Sequence, residues 1–140
     1  MRYLHYSLLA AALTFGVATA SAADFKVVAN PGITVSAISA SDLKDVFLAT
    51  KTSLSDGTHV EPVWEKGGAT HEAFLKQYVG KTDAAVGTYY RSLVFTGKAS
   101  MPKTLGTDAE VVAYVAKTKG AIGYVSADAN TDKVKTLDVK

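Results

Sequence analysis

Hydrophobic residues recur along this chain with two alternating periods, which predict short strands and amphipathic helices in turn. Phe25 to Ala29 is a run of strand-forming residues that the turn sequence Asn30-Pro31-Gly32 terminates. Leu43, Val46 and Phe47 then follow the i, i+3, i+4 spacing of a buried helical face. Strands alternating with helices of this length are typical of a single α/β domain.

The remaining segments continue this alternation to the end of the chain. Three further strands are predicted, at Val60–Trp64, Ala121–Val125 and Val134–Val139. Three further helices are predicted from apolar faces, namely Phe74, Leu75, Tyr78 and Val79; Val86, Tyr89, Tyr90 and Leu93; and Val111, Tyr114 and Val115.

Residues that can cap a helix precede each helical segment. Ser39–Asp42 and Thr107–Glu110 have the arrangement of a capping box, in which a hydroxyl and a carboxylate satisfy free backbone N–H groups. Thr70 and Asp83 are the predicted N-caps of the two helices between them, and Gly80 is the predicted stop of the first.

The first residues do not fit a folded core. A basic start at Arg2, a short apolar run over residues 8–17 and the small residues Ala20-Ser21-Ala22 predict a cleavable signal peptide at 1–22. The apolar run is shorter than the roughly 20 residues that span a bilayer. We therefore expect an exported, periplasmic or secreted domain over 23–140, with no membrane insertion after cleavage.

Composition excludes several classes of function. The 140 residues carry 15 Lys and Arg against 13 Asp and Glu, without a basic run, which argues against a nucleic-acid binder. There is no cysteine, so the chain has no disulfide, no thiolate metal site and no cysteine nucleophile.

Side chains with catalytic potential are sparse. His59 and His71 lack the spacing of a metal site, and each is interpreted as a surface histidine. No G-x-S-x-G nucleophile motif occurs, and the aromatic residues Tyr89, Tyr90 and Phe95 are interpreted as core. We expect a protein that is not an enzyme and needs neither a metal nor a cofactor.

One turn stands out as a candidate binding site. Lys66, Gly67, Gly68, Ala69 and Thr70 connect a predicted strand to a predicted helix. Small residues at a helix start leave backbone N–H groups free, the helix dipole adds positive potential, and a lysine adds a full charge, which together suit an oxyanion. The glycines can also serve only to make a tight strand-to-helix connection, and pattern alone favours this second interpretation.

A series of short motifs, in order, resembles the PstS-type phosphate ABC-transporter substrate-binding proteins, specifically a short single-lobe branch. The motifs are Val46-Phe47-Leu48, Asp56-Gly57, Val60-Glu61-Pro62-Val63, the glycine turn into Phe74, Phe95-Thr96-Gly97-Lys98, Pro102 and Gly120-Ala121-Ile122-Gly123-Tyr124-Val125. The resemblance implies a periplasmic-binding-protein-like lobe with a mixed sheet flanked by helices. It also implies a phosphate-like oxyanion as ligand and a membrane permease or a second protein lobe as partner.

The anion motif of that family is altered in this chain. The family pattern R-x-D-G-S-G-T, aligned through Phe74, places Trp64 at the arginine and Lys66 at the aspartate, and only Gly67 and Thr70 match. The resemblance therefore predicts weak oxyanion binding, or binding completed by a partner. The alternative is a periplasmic accessory or adaptor protein that uses the lobe for protein–protein interaction without transport.

Overall fold

A computed structural model describes residues 25–140. The signal peptide predicted at 1–22 lies outside these residues. Six strands form one mixed sheet in the order β2-β6-β1-β5-β3-β4. Their bounds are β1 Phe25–Ala29, β2 Ala37–Ile38, β3 Glu61–Glu65, β4 Lys103–Leu105, β5 Ala121–Ser126 and β6 Lys135–Val139.

The centre of the sheet is antiparallel and its edges are parallel. Strand β1 pairs antiparallel with β5 on one side, with Val27 opposite Tyr124, and with β6 on the other, with Val27 opposite Leu137. Strand β3 runs parallel to both β5 and β4. Because β3 and β4 are parallel, a crossover must join them, and that crossover contains the candidate turn.

Helices cover both faces of this sheet. They are α1 Ala40–Phe47, α2 Ala69–Phe74, α3 Asp83–Phe95 and α4 Asp108–Lys117, and a π-helical segment, Leu75–Val79, continues α2. Trp64 on β3 belongs to the larger core with α1, α2 and α3, whereas Val63 packs with Val111 and Val115 of α4 on the opposite face. The predicted α/β lobe with a mixed sheet and flanking helices is confirmed.

Two predicted caps are confirmed and two are wrong. Ser39 accepts a hydrogen bond from the Asp42 N–H at 3.0 Å, and Thr107 accepts one from the Glu110 N–H at 3.2 Å. Thr70 is not an N-cap, because α2 begins one residue before it. Asp83 is not one either, because Thr82 caps α3 and leaves the Asp83 carboxylate free for a tertiary contact.

The two glycines of the Gly-Ala-Ile-Gly-Tyr-Val motif have separate packing roles. Gly120 has a φ of +80°, and a Cβ there would overlap the His59 carbonyl. A Cβ on Gly123 would lie 3.0 Å from a Val111 methyl group, so the absence of a side chain lets α4 approach β5. Both glycines of the motif are therefore required by the packing of this fold.

Two other expectations are corrected. Phe95 is 93% exposed rather than part of the core, and it is the last residue of α3. His71 is 2% exposed rather than a surface residue, because it packs between α3 and β5. Strands β2 and β4, of two and three residues, were not predicted because they are too short for periodicity to register.

Candidate functional site

The five residues of the predicted turn lie together at the end of β3. Lys66 to Ala69 are exposed, and Thr70 is partly buried in the first turn of α2. The Lys66 N–H donates to the Leu105 carbonyl at 2.9 Å, which fixes the start of the turn against β4. Gly68 has a φ of +93°, a conformation that a residue with a side chain rarely adopts.

The start of α2 leaves several backbone donors free. Gly68 is the N-cap and has no side chain to accept a hydrogen bond, and the first backbone bond along the helix runs from the Glu72 N–H to the Gly68 carbonyl at 3.0 Å. Across residues 25–140, no protein acceptor meets the N–H groups of Ala69 and Thr70. An anion can satisfy such donors.

Lys66 also lines a cavity of about 470 Å³ that lies beside the turn. The cavity is bounded by the end of β3, by α3 from Asp83 to Arg91 and by the segment that leads into β4. Its wall includes the side chains of Trp64, His71, Asp83, Arg91 and Met101. Of the five turn residues, only Lys66 lines this cavity, which we call the groove and whose wall is partly polar and partly apolar.

A buried hydrogen-bond chain forms one side of this groove. His71 Nδ1 lies 2.5 Å from the Tyr124 hydroxyl, and His71 Nε2 lies 2.8 Å from the Asp83 carboxylate. The Tyr124 oxygen also accepts the Glu65 backbone N–H at 2.9 Å. The chain of hydrogen bonds therefore ties α2, α3, β3 and β5 together beside the groove.

The role of His71 was missed from the sequence although a signal for it exists. His71, Phe74 and Leu75 have the same i, i+3, i+4 spacing that identified the other buried faces, and all three are buried. A histidine on an apolar helical face needs partners for both ring nitrogens. Those partners, Tyr124 and Asp83, are 53 and 12 residues away, and spacing alone does not reveal them.

Glu65 is the second buried polar residue that the sequence did not indicate. It is 6% exposed, and burial together with the adjacent Asp108 carboxylate raises the pKa of Glu65 to about 8. At neutral pH the carboxyl is therefore mostly protonated. Its Oε1 atom has no hydrogen-bond partner within residues 25–140.

Trp64 contributes a further buried polar atom. Its indole N–H has no hydrogen-bond partner among the described residues, although it lies close to the Tyr90 hydroxyl. That hydroxyl donates instead to the Phe47 carbonyl. Burial raises the pKa of Tyr90 to about 12, and the indole N–H only partly offsets this effect.

The Tyr124 hydroxyl is not available to a ligand in the groove. Tyr124 is fully buried, and its hydroxyl is already bonded to the Glu65 N–H and to His71, so it has no access to a substrate. No group of three or more His, Asp or Glu side chains suited to a metal occurs within residues 25–140. In the same part of the chain, no helix has the length and apolar character needed to cross a membrane.

Comparison with solved structures identifies the fold. An ABC-type phosphate transport receptor from Vibrio cholerae matches 83% of this chain with a TM-score of 0.64 and 15% identity, and PstS from Borrelia burgdorferi matches 84% with a TM-score of 0.62 and 13% identity. A third protein, from Clostridium perfringens, whose crystal structure holds bound phosphate, matches 83% of the chain with a TM-score of 0.62 and 16% identity. No protein-family model and no curated protein matches the chain.

The matches cover only part of each solved protein. The chain spans 46% of the Vibrio cholerae receptor, 47% of the Borrelia burgdorferi protein and 44% of the Clostridium perfringens protein. The Vibrio cholerae protein is described as a transport receptor and the Clostridium perfringens protein as a substrate-binding protein. The resemblance predicted from the ordered motifs is thus confirmed as likeness of fold: the chain has the fold of somewhat less than half of a PstS-type phosphate-binding protein.

Proposed function

We propose that this chain is an exported substrate-binding protein of the phosphate-transporter type, which holds a small oxyanion such as phosphate at Lys66, Gly67, Gly68, Ala69 and Thr70. Its place of action is the periplasm or the extracellular space. Its expected partner is a membrane permease, or a second protein lobe that closes over the anion.

The observation that carries this proposal is the free N–H groups of Ala69 and Thr70 beside the exposed Lys66. Backbone donors at a helix start and a lysine ammonium group are the elements from which proteins build oxyanion sites. Of the solved proteins of the same fold, the Vibrio cholerae protein is described as a phosphate transport receptor and the Clostridium perfringens protein contains phosphate. An accessory or adaptor role would not require these donors to remain free.

The expected affinity of the isolated chain is low. Hydrogen bonds to a charged group contribute about 1.5–3 kcal/mol each, and less where water competes at an open turn. Association costs at least about 4 kcal/mol. A few such bonds, weakened by water and reduced by the cost of association, leave a net binding free energy of only a few kcal/mol. This corresponds to affinity near the millimolar range, where the binding free energy is about −4 kcal/mol.

Isothermal titration calorimetry of the mature protein with inorganic phosphate tests this proposal. We expect millimolar binding that weakens as salt is added, because the attraction is largely electrostatic. Lys66→Ala should weaken it further, whereas the matched control Lys117→Ala, an exposed lysine on α4 at the other face of the sheet, should not. Equal affinity of both variants and the parent protein would refute the assignment of the site.

A further inference from the structure

The large apolar side chains that are exposed within residues 25–140 all come from one short stretch of chain. Val94 is 42% exposed, Phe95 is 93% exposed and Met101 is 59% exposed. Val94 and Phe95 lie one helical turn after Arg91, and Met101 lines the same groove as Arg91. We call Val94, Phe95 and Met101 the α3 patch. One exposed apolar side chain needs no explanation, whereas several neighbouring ones indicate a contact site.

The chain around the α3 patch carries only positive charge. Residues 84–107 include Arg91, Lys98 and Lys103 but no aspartate or glutamate. All three cations are exposed, and none of them lies within 4.0 Å of a carboxylate of residues 25–140. Aromatic residues, methionine and arginine are enriched in protein interfaces. The α3 patch therefore suits a protein surface that is apolar at its centre and acidic at its rim.

A membrane surface fits the α3 patch less well. A helix that lies in a membrane interface buries a broad apolar face. The exposed residues on either side of Phe95 along α3 are polar instead, namely Thr88, Ser92 and Thr96. One protruding aromatic side chain with polar neighbours fits a cleft in a protein rather than a lipid surface.

A cleft of complementary character lies beside α4, which packs on the other face of the sheet. Its volume is about 690 Å³. Its apolar lining comes from α4 and from the loop after β5, and consists of Ala109, Val112, Ala113, Ala116 and Ala129. Val112 and Ala129 pack against the smaller core, so the apolar lining continues that core to the surface. We call this cavity the α4 cleft, and it is large enough to admit an aromatic side chain.

The rim of the α4 cleft is mainly acidic. Asp108 and Asp132 line the cleft, and Lys133 is the one cation among its lining residues. Glu110 and Asp128 are each next in sequence to an alanine of the lining. Within residues 25–140, none of these four carboxylates takes part in an ion pair. The α4 cleft thus has the apolar centre and the acidic rim that the α3 patch suits.

We propose that the α3 patch of one copy of this chain docks into the α4 cleft of a second copy. Phe95 enters the cleft, and Arg91 and Lys98 face the carboxylates of its rim. The patch and the cleft are different surfaces, so the contact is head-to-tail, and each added copy leaves one patch and one cleft free. The product is a short chain or a ring of copies. The turn at residues 66–70 takes no part, so this association does not depend on oxyanion binding.

Sedimentation equilibrium of the mature protein tests the proposal. One aromatic anchor and a few charges make a small contact, so we expect a dissociation constant on the order of 100 µM. The weight-average mass should be close to that of the monomer at about 10 µM and clearly higher at about 1 mM. Added salt should weaken the association, because the charges at the rim are exposed. A parent protein that stays monomeric at about 1 mM would overturn the proposal.

Two substitutions block the patch and the cleft separately. Phe95→Ser removes the anchor, and Ala113→Lys places a long cationic side chain in the cleft, so each variant should remain monomeric. Both positions are exposed, so both variants should fold. Two controls should associate as the parent protein does: Phe95→Leu keeps an apolar anchor, and Gln77→Lys adds the same charge at an exposed position outside the patch and the cleft. Undiminished association of Phe95→Ser or of Ala113→Lys would refute the assigned contact.

A mixture of the two blocked variants tests whether the patch and the cleft bind each other. The Phe95→Ser variant retains its cleft and the Ala113→Lys variant retains its patch, so an equimolar mixture can form only one contact per pair. It should sediment as a one-to-one complex and form nothing larger. A mixture that stays monomeric would show that the α3 patch does not bind the α4 cleft, and would overturn the proposal even if the parent protein associates.

Discussion

The Tyr124 hydroxyl and Nδ1 of His71 lie 2.5 Å apart in the interior of the domain, which joins the central part of the sheet to the helix that follows the candidate turn. His71 holds the Asp83 carboxylate on α3 through its other ring nitrogen. His71 thus bonds to β5 through one ring nitrogen and to α3 through the other. These two bonds fix the position of α2, and with it the turn, relative to α3.

Loss of the imidazole should destabilise the protein strongly. His71→Ala leaves a cavity and removes the imidazole partner of the buried Tyr124 hydroxyl, which we expect to lower the free energy of unfolding by about 2–4 kcal/mol. Urea unfolding measures this. His59→Ala is the matched control, because the exposed His59 should change the same quantity by less than about 0.5 kcal/mol. Similar values for the two would contradict the assigned role of His71.

Glu65 should make stability depend on pH. Its pKa rises from the ordinary value of 4.5 to about 8 on folding, so the folded protein holds a proton that the unfolded chain releases. The stabilising contribution is complete below pH 4.5 and is lost as pH rises through about 8. Between pH 5 and pH 8, the parent protein should lose on the order of a few kcal/mol relative to Glu65→Gln, which does not titrate. Glu72→Gln, at an exposed position, should show the same pH dependence as the parent protein.

The N-cap of α4 should make a smaller contribution to the stability of the protein. Thr107→Ala removes the acceptor of the Glu110 N–H, and loss of such a cap costs about 1 kcal/mol, which corresponds to a decrease in Tm of about 4–8 °C. Thr107→Asp keeps an acceptor and should retain the Tm of the parent protein. Calorimetry that shows the same Tm for Thr107→Ala would mean that α4 does not depend on this cap.

Export can be tested by mass spectrometry of the protein from a periplasmic extract. Cleavage of the predicted signal peptide should give a mature protein that begins at Ala23 or Asp24. An intact mass that includes residues 1–22 would contradict the predicted cleavage of a signal peptide.

Much of the fold could be predicted because its determinants are local. The face formed by Leu43, Val46 and Phe47 and the cap at Thr107 depend on residues within a few positions of each other. The start of α2 was misplaced because Gly68 acts as a cap through its φ alone and offers no side-chain signal.

The site was only partly predictable for a different reason. The turn at residues 66–70 is contiguous in the sequence, whereas the groove beside it depends on contacts between distant segments. From the sequence alone, Glu65 is indistinguishable from an ordinary charged glutamate, because only the fold brings Asp108 next to it. Likewise, only the packing of α3 places Arg91 in the wall of the groove.

The most direct test of oxyanion binding at the turn is a phosphate titration of the mature, isotope-labelled protein followed by NMR. We predict that the backbone amide signals of Gly68, Ala69 and Thr70 shift together and saturate with a midpoint in the millimolar range, while those of α4 remain unchanged. Unchanged signals at the turn, or saturation at micromolar phosphate through residues elsewhere, would contradict the account.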